Sequence, residues 1–362
     1  MARKLAFDRV LFATVVGLTG LGLVMVYSTT VVLVNSRGLT TNTFFLKQTA
    51  AAVLGFLGMW AAMHVDYRKL RQPEVIYPIV ALMVVLLVAV LFTPPLNNTR
   101  RWLFIAGVSV QPSELAKLVL ILFLAYQVDR KVDRVNSFAL LVPCAFVTAT
   151  MAALIFLGRD LGTTVLLTVP PLVMLFLAGL SARFLLLGGA MLLPMIVLAV
   201  TLESYRFERL TAFMHPERDP LGNGFQPLQS LIAVGSGGIL GLGPGNSLQK
   251  LHFLPSPHAD FIFSIVAEEL GLLGAIFVVS LFGVLLWRGI LAGWNAPDTF
   301  GTFLAWGLTA MLVGQALIHI SVTLSLLPTT GVPLPLISHG GSSLIVSLTA
   351  CGLLLNVSQH GG

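Results

Sequence analysis

The sequence predicts an all-α polytopic membrane protein, with about ten transmembrane helices and a long external loop between the seventh and the eighth. Three observations predict it. Hydrophobic residues make up 56% of the 362 and charged ones only 10%, where a water-soluble domain carries roughly 25% charged. The mean hydropathy is +0.93. The apolar residues are also gathered into runs of about 20, the length a helix needs to cross the hydrocarbon core.

In chain order the runs fall at 10–28, 44–64, 76–93, 113–128, 138–157, 163–180, 184–202, 261–287, 302–326 and 342–357. The first is too long for a signal-peptide core and no small-residue cleavage site follows it, so it is read as retained. Basic clusters separate the second from the third and the fourth from the fifth, and the fourth and tenth are the shortest. The sixth follows the polar stretch GRDLGTT, and the eighth follows the hydrophilic segment 203–259. No period of 20 to 50 residues recurs, so neither a solenoid nor an inverted-repeat transporter is indicated. Cys144 and Cys351 fall inside spans, which predicts reduced packing residues and no disulfide framework.

Basic residues orient the chain. Arg3, Lys4 and Arg9, then Arg68, Lys69 and Arg71, then Arg130, Lys131 and Arg134 lie on one side, against Arg37, Arg100 and Arg101 on the other. This asymmetry predicts that both termini are cytoplasmic. The net charge of +6 is largely these clusters meeting anionic lipid, and requires no nucleic-acid partner.

The polar residues collect in four islands, all on the external side. Asp260 stands in LHFLPSPHADFIFSIVAEELG, where a hydrophilic loop meets an apolar helix that also carries Glu268 and Glu269. An ionisable group at such a boundary is costly and either reaches water or does chemistry; Asp260 could also simply cap the helix. The loop before it is too long to be idle connection. Its centre, QPLQSLIAVGSGGILG, reads as a short amphipathic or re-entrant helix ending in glycines. With no GxGxxG and no GK[ST], nucleotide binding is excluded, and the glycines serve either the approach of a bulky substrate or plain turns.

The second island is NNTRRWLFIAGVSVQPSELAK. Glu114 and Lys117 are three apart on one helix, close enough to pair; inside an apolar span the pair either bridges helices or lines a cavity. Arg100 and Arg101 before Trp102 are interfacial anchors or a fork for an anionic headgroup such as a pyrophosphate. The third island contains Asp160, which is also a good helix start. The fourth, LLPTTGVPLPLISHGGSS at 326–343, breaks an apolar stretch, which is tolerated at membrane depth only beside protein or a wet cavity. His252 and His258 are six apart and match no zinc spacing, and neither GxSxG nor HExxH occurs.

In this order the islands resemble the SEDS family of bacterial cell-wall glycosyltransferases. The resemblance rests on TGLGLVMVYS, RRW, QPSELAK, DLGTT, DPLGNGFQPLQS, GSGGILGLG, HADFIFSIVAEELGLLG and PLPLISHGGSS, and covers the chain essentially end to end. VMVYS, LGLGPGNSLQKLHFLP and LLPTTGVPLP look closer to the division-type branch than to the elongation-type branch. Arg159, Pro257 and His339 depart from the family's usual Pro, Glu and Tyr. Pro257 therefore lacks that position's carboxylate and His339 its hydroxyl, while Asp260 and Asp160 remain.

The resemblance implies a GT-C-like membrane fold in the bacterial cytoplasmic membrane with an extracytoplasmic active site. It implies lipid II as substrate, Asp260 as the catalytic carboxylate, and a substrate-binding set of Arg100, Arg101, Glu114, Lys117, Asp160, Gln229, Ser230, His258, Ser338 and Ser342. A divalent cation, Mg or Mn, could neutralise the lipid pyrophosphate. The implied partner is a class B penicillin-binding protein, a single-span transpeptidase, among other divisome or elongasome proteins. A lipid II flippase would share the cavity without needing a base, and a noncatalytic scaffold would need neither; polymerisation and transport assays on an Asp260 variant separate the three.

Overall fold

The computed structural model describes residues 7–37, 42–96, 99–105, 108–184, 186–190, 204–251 and 254–361. Helices α1 (Arg9–Arg37), α2 (Asn42–His64) and α3 (Pro73–Leu91) lead into a two-stranded antiparallel hairpin, β1 (Leu103–Ile105) and β2 (Val108–Val110). Then come α4 (Pro112–Lys131), α5 (Phe138–Leu157), α6 (Leu161–Leu177), α7 (Ser204–Met214), α8 (Phe225–Ser236), α9 (Ile262–Trp294), α10 (Thr299–Thr323) and α11 (Gly341–Ser358). Among the described residues seven helices are long and apolar enough to cross a membrane: α1, α2, α3, α5, α9, α10 and α11. The predicted fourth span is α4, which carries five charged residues; the sixth is the shorter α6; the seventh lies mostly outside the described residues.

Starts and stops follow local chemistry. Pro73 and Pro112 occupy first-turn positions, where the missing N–H costs nothing. Asp160 and Asp298 cap α6 and α10, accepting from the backbone N–H of Thr163 and Gly301. Helix α4 is the axis of the bundle, buried along almost its whole length and packed by α3, α5, α6, α10 and α11. The outer faces are apolar: Leu57 and Trp60 on α2, Leu82 and Val85 on α3, and Phe146 on α5 are all exposed. Such faces are stable only against hydrocarbon. At one end of the bundle Arg68 pairs with Asp298 and Arg71 with Asp129, so these members of the basic clusters face protein carboxylates as well as the lipid expected from the sequence.

Two features correct the sequence reading. The segment 203–259 is not a bare loop, since it contains α7, which was not expected, as well as the expected helix, α8. The span at 261–287 is not continuous either: α9 is broken at Gly271, whose φ is +68°. A broken helix leaves carbonyls and N–H groups that must be satisfied internally, and the glycine-rich segment after α8 supplies the partners. Leu242 and Gly243 N–H groups donate to the Glu268 and Glu269 carbonyls, both at 3.0 Å, and the Leu272 N–H donates to the Gly238 carbonyl at 2.9 Å. The approach is so close that a Cβ at Gly241 would lie 2.2 Å from the Glu269 carbonyl oxygen. Gly237 and Gly241 therefore admit the protein's own helix break, while residues 237–240 and 244–245 also form turns. The side chains reinforce the contact. Buried Glu269 pairs with Lys250 at 2.7 Å and accepts from Ser28, and buried Glu268 accepts from Ser247 and the Leu248 N–H.

Candidate active site

The opposite end of the bundle gathers the tail of the α8–α9 connection and the segment 328–340 before α11. Asp260 ends that connection. Its helix starts at Ile262, and the N-cap residue, Phe261, makes no side-chain cap. Among the described residues no capping hydrogen bond is made by the Asp260 carboxylate, so it is left for another task, in contrast to Asp160. It rests half-buried against Gly331, where a Cβ would lie 3.7 Å from Oδ2. Burial pushes its carboxyl above the usual carboxylate range; Arg101 and Arg209 pull it down and Asp160 pushes it up.

Neighbouring groups fix the two segments to each other. The His339 N–H donates to the His258 carbonyl at 2.9 Å. Ser338 Oγ donates to the Ala259 carbonyl at 2.7 Å and accepts from the Leu334 N–H at 2.8 Å. The rings of Phe44, His258 and His339 pack mutually at 5.5–5.8 Å. Burial beside His339 pushes the His258 imidazole down to about 4, so it is neutral at neutral pH.

The two arginines separate. Arg101 lies 3.7 Å from the Asp160 carboxylate and over the Trp102 ring, and among the described residues its buried Nε has no hydrogen-bond partner. Arg100 instead donates to the Leu91 carbonyl at 2.7 Å, closing the end of α3. Both line one small crevice with Leu87, Leu154 and Asp160. Asp160 itself accepts from Thr163 Oγ1 at 2.9 Å and from Gln111 at 3.4 Å.

Glu114 and Lys117 pair at 3.0 Å, fully buried. Lys117 Nζ also donates to Gln315 Oε1 at 2.6 Å, and Gln315 Nε2 donates to the Pro333 carbonyl at 2.8 Å. The pair thus joins α4 to α10 and to the segment beneath Asp260. Ser342 accepts from the Gln111 N–H and ties β2 to α11 through the Ser109 carbonyl. Ser230 is fully buried between α8, α9 and α10, its hydroxyl bonded to Ser264 and to the Thr323 carbonyl; Gln229 beside it is half-buried. The structure therefore gathers Asp260, His258, Ser338, Arg101 and Asp160 around one end, links Glu114 and Lys117 to it from below, and places Ser230 in helix packing.

Arg209, Gln315 and His319 were missed. Arg209 on α7 reaches the Thr329 carbonyl at 3.3 Å, and its signal was the amphipathic run RFERL. Gln315 and His319 gave a signal too, two polar residues four apart in an apolar span. Among the described residues no cluster of three or more His, Cys, Asp or Glu could hold a metal ion.

The family model described as a cell cycle protein, FtsW/RodA/SpoVE, matches residues 8–361. The chain is 40% identical to the "Probable peptidoglycan glycosyltransferase FtsW" of Geobacter metallireducens over 98% of this chain and 95% of that one. It is 38% identical to stage V sporulation protein E of Bacillus subtilis, over 99% and 98%. Among solved structures it is similar to a peptidoglycan synthase complex that coordinates polymerization and crosslinking (TM-score 0.79, 32% identity, 98% of each chain). It is also similar to the rod shape determining protein RodA of Thermus thermophilus (TM-score 0.71, 29% identity, 98% of this chain and 97% of that one).

Proposed function

Because the chain belongs to the FtsW/RodA/SpoVE family of cell cycle proteins, we propose that it polymerises lipid II into glycan strands for cell division, with Asp260 as its base. It is a multi-pass protein of the cytoplasmic membrane and a peptidoglycan glycosyltransferase. One observation carries the catalytic assignment: a carboxylate at the head of α9 that caps nothing and sits among the charges of Arg101, Arg209 and Asp160. In this reading Asp260 takes the proton of the acceptor sugar's 4-hydroxyl as that oxygen attacks the donor's anomeric carbon. The bond from that carbon to the lipid pyrophosphate breaks, and the pyrophosphate leaves with the electron pair. A carboxylate of ordinary pKa near 4 is a weak base for a hydroxyl, and desolvation makes Asp260 a better one.

Arg101 is the proposed pyrophosphate ligand, because its guanidinium faces Asp160 while that of Arg100 is taken up by α3. Losing a charge-assisted hydrogen bond costs about 1.5–3 kcal/mol. Arg101→Ala is therefore expected to weaken lipid II binding by roughly tenfold to a hundredfold, with Lys a poor replacement, and Arg100→Ala to weaken it far less. Titration of both variants with lipid II checks this; equal losses would reject the division of labour.

The basic-residue asymmetry supports cytoplasmic termini and an extracytoplasmic Asp260 end. Similarity to a synthase complex supports a class B penicillin-binding protein as partner. Purified chain given labelled lipid II is expected to make long glycan strands, faster with its transpeptidase, through turnover more than affinity. Transport of lipid II without polymer, even in the complex, would overturn the assignment.

A further inference from the structure

The segment 328–340 contains Pro328, Pro333 and Pro335, which offer no backbone N–H, and it has Gly331 at φ +64°. Four of its carbonyls are each met by a side chain from elsewhere: Thr329 by Arg209 of α7, Ser338 by Gln48 of α2, Val332 by His319 and Pro333 by Gln315. The last two come from one face of α10, since residues four apart in a helix lie one above the other. Both are buried. Their hydrogen-bond directions are determined. Lys117 can only donate, so it turns Gln315 Oε1 toward itself and Nε2 toward Pro333. A carbonyl can only accept, so His319 carries its proton on Nδ1, 2.7 Å from Val332. Among the described residues His319 Nε2 is then buried without a partner. An apolar residue would avoid that cost but leave the Val332 carbonyl unpaired, so what the histidine supplies here is its donated hydrogen bond.

We propose that Gln315 and His319 are positioning residues, which hold the Val332 and Pro333 carbonyls from α10 and so fix the Gly331 floor against which the Asp260 carboxylate rests. This rests on Asp260 being the base. Through Gln315 the same clamp gives the buried Lys117 a route to the reacting end that needs no contact with substrate.

The test uses the full chain with its transpeptidase and measures kcat and KM for lipid II across pH. His319→Leu removes the donor and His319→Asn retains one. Gln315→Glu keeps the contact with Lys117 and, ionised beside that ammonium, cannot donate to Pro333. Misplacing a reacting group by about an ångström costs up to roughly a hundredfold. His319→Leu and Gln315→Glu are therefore expected to lower kcat about tenfold to a hundredfold while KM changes less than about threefold, and His319→Asn to restore most of the rate. The acid limb of kcat/KM is expected to move to lower pH in His319→Leu, which adds no charge. Burial raises the Asp260 carboxyl, so water admitted by a slack floor lowers it, while Arg101, Arg209, Asp160, His258 and His339 stay in place around it. An acid limb unmoved while the rate falls, or His319→Asn no better than leucine, would overturn the clamp. Gln315→Glu is nearly isosteric and carries the test should the leucine variant not fold. Normal polymerisation by Asp260→Asn removes the base itself, and is told apart from failure of the clamp because Gln315 and His319 are intact in it.

Discussion

Asp260→Asn is expected to lower lipid II polymerisation by about 10²- to 10⁴-fold, the usual worth of a positioned base, with melting temperature at neutral pH unchanged or raised. Because the carboxylate caps no helix, the amide removes charge without removing a hydrogen bond from α9. The sign of the stability effect follows from the raised carboxyl. Between its ordinary pKa and its folded one the folded state binds more protons than the unfolded state, so stability falls as pH rises through that window and stays lower above it. Asparagine lifts this burden, so the residue trades stability for activity. In the native chain, activity falls as pH drops through a value above the ordinary carboxylate range, because a protonated base accepts nothing. A purified Asp260→Asn protein that polymerises at the native rate would refute the assignment.

Breaking the Glu114–Lys117 pair is expected to be the most destabilising single change in the bundle. Both charges are buried on the helix at the axis of the bundle. Removing one partner of a buried pair costs about 3–5 kcal/mol, whereas replacing both by apolar groups of similar size is often neutral. Glu114→Gln and Lys117→Met should each lower the melting temperature strongly, and the double variant should recover most of the loss. Lys117→Met also frees the Gln315 amide to flip, so its activity should remain low in the double variant despite recovered stability. Thermal melts and lipid II assays on all three proteins check both statements, and a double variant as unstable as the worse single one would contradict the buried-pair account.

Much of this protein was determined by its sequence alone. Runs of apolar residues predict helices because hydrocarbon offers backbone groups no partner, so the periodicity need not be decided by neighbours. The same logic placed the polar islands: Asp260, Asp160, Arg101 and the pair Glu114 and Lys117 stand out because polar groups are scarce in such a chain. Tertiary structure alone decided what each of them touches. Asp160 and Asp260 both precede apolar helices, yet only Asp160 caps its own, since the cap depends on local backbone geometry that composition does not record. Arg100 and Arg101 are adjacent in sequence, but one reaches the end of α3 and the other the Asp160 carboxylate. The break at Gly271 was hidden because its unsatisfied backbone is met by residues about 30 positions earlier, and the partners of Gln315 and His319, though not the residues themselves, were hidden because those carbonyls lie beyond their own helix. A one-dimensional pattern reports which groups need partners; only packing brings the partners to them.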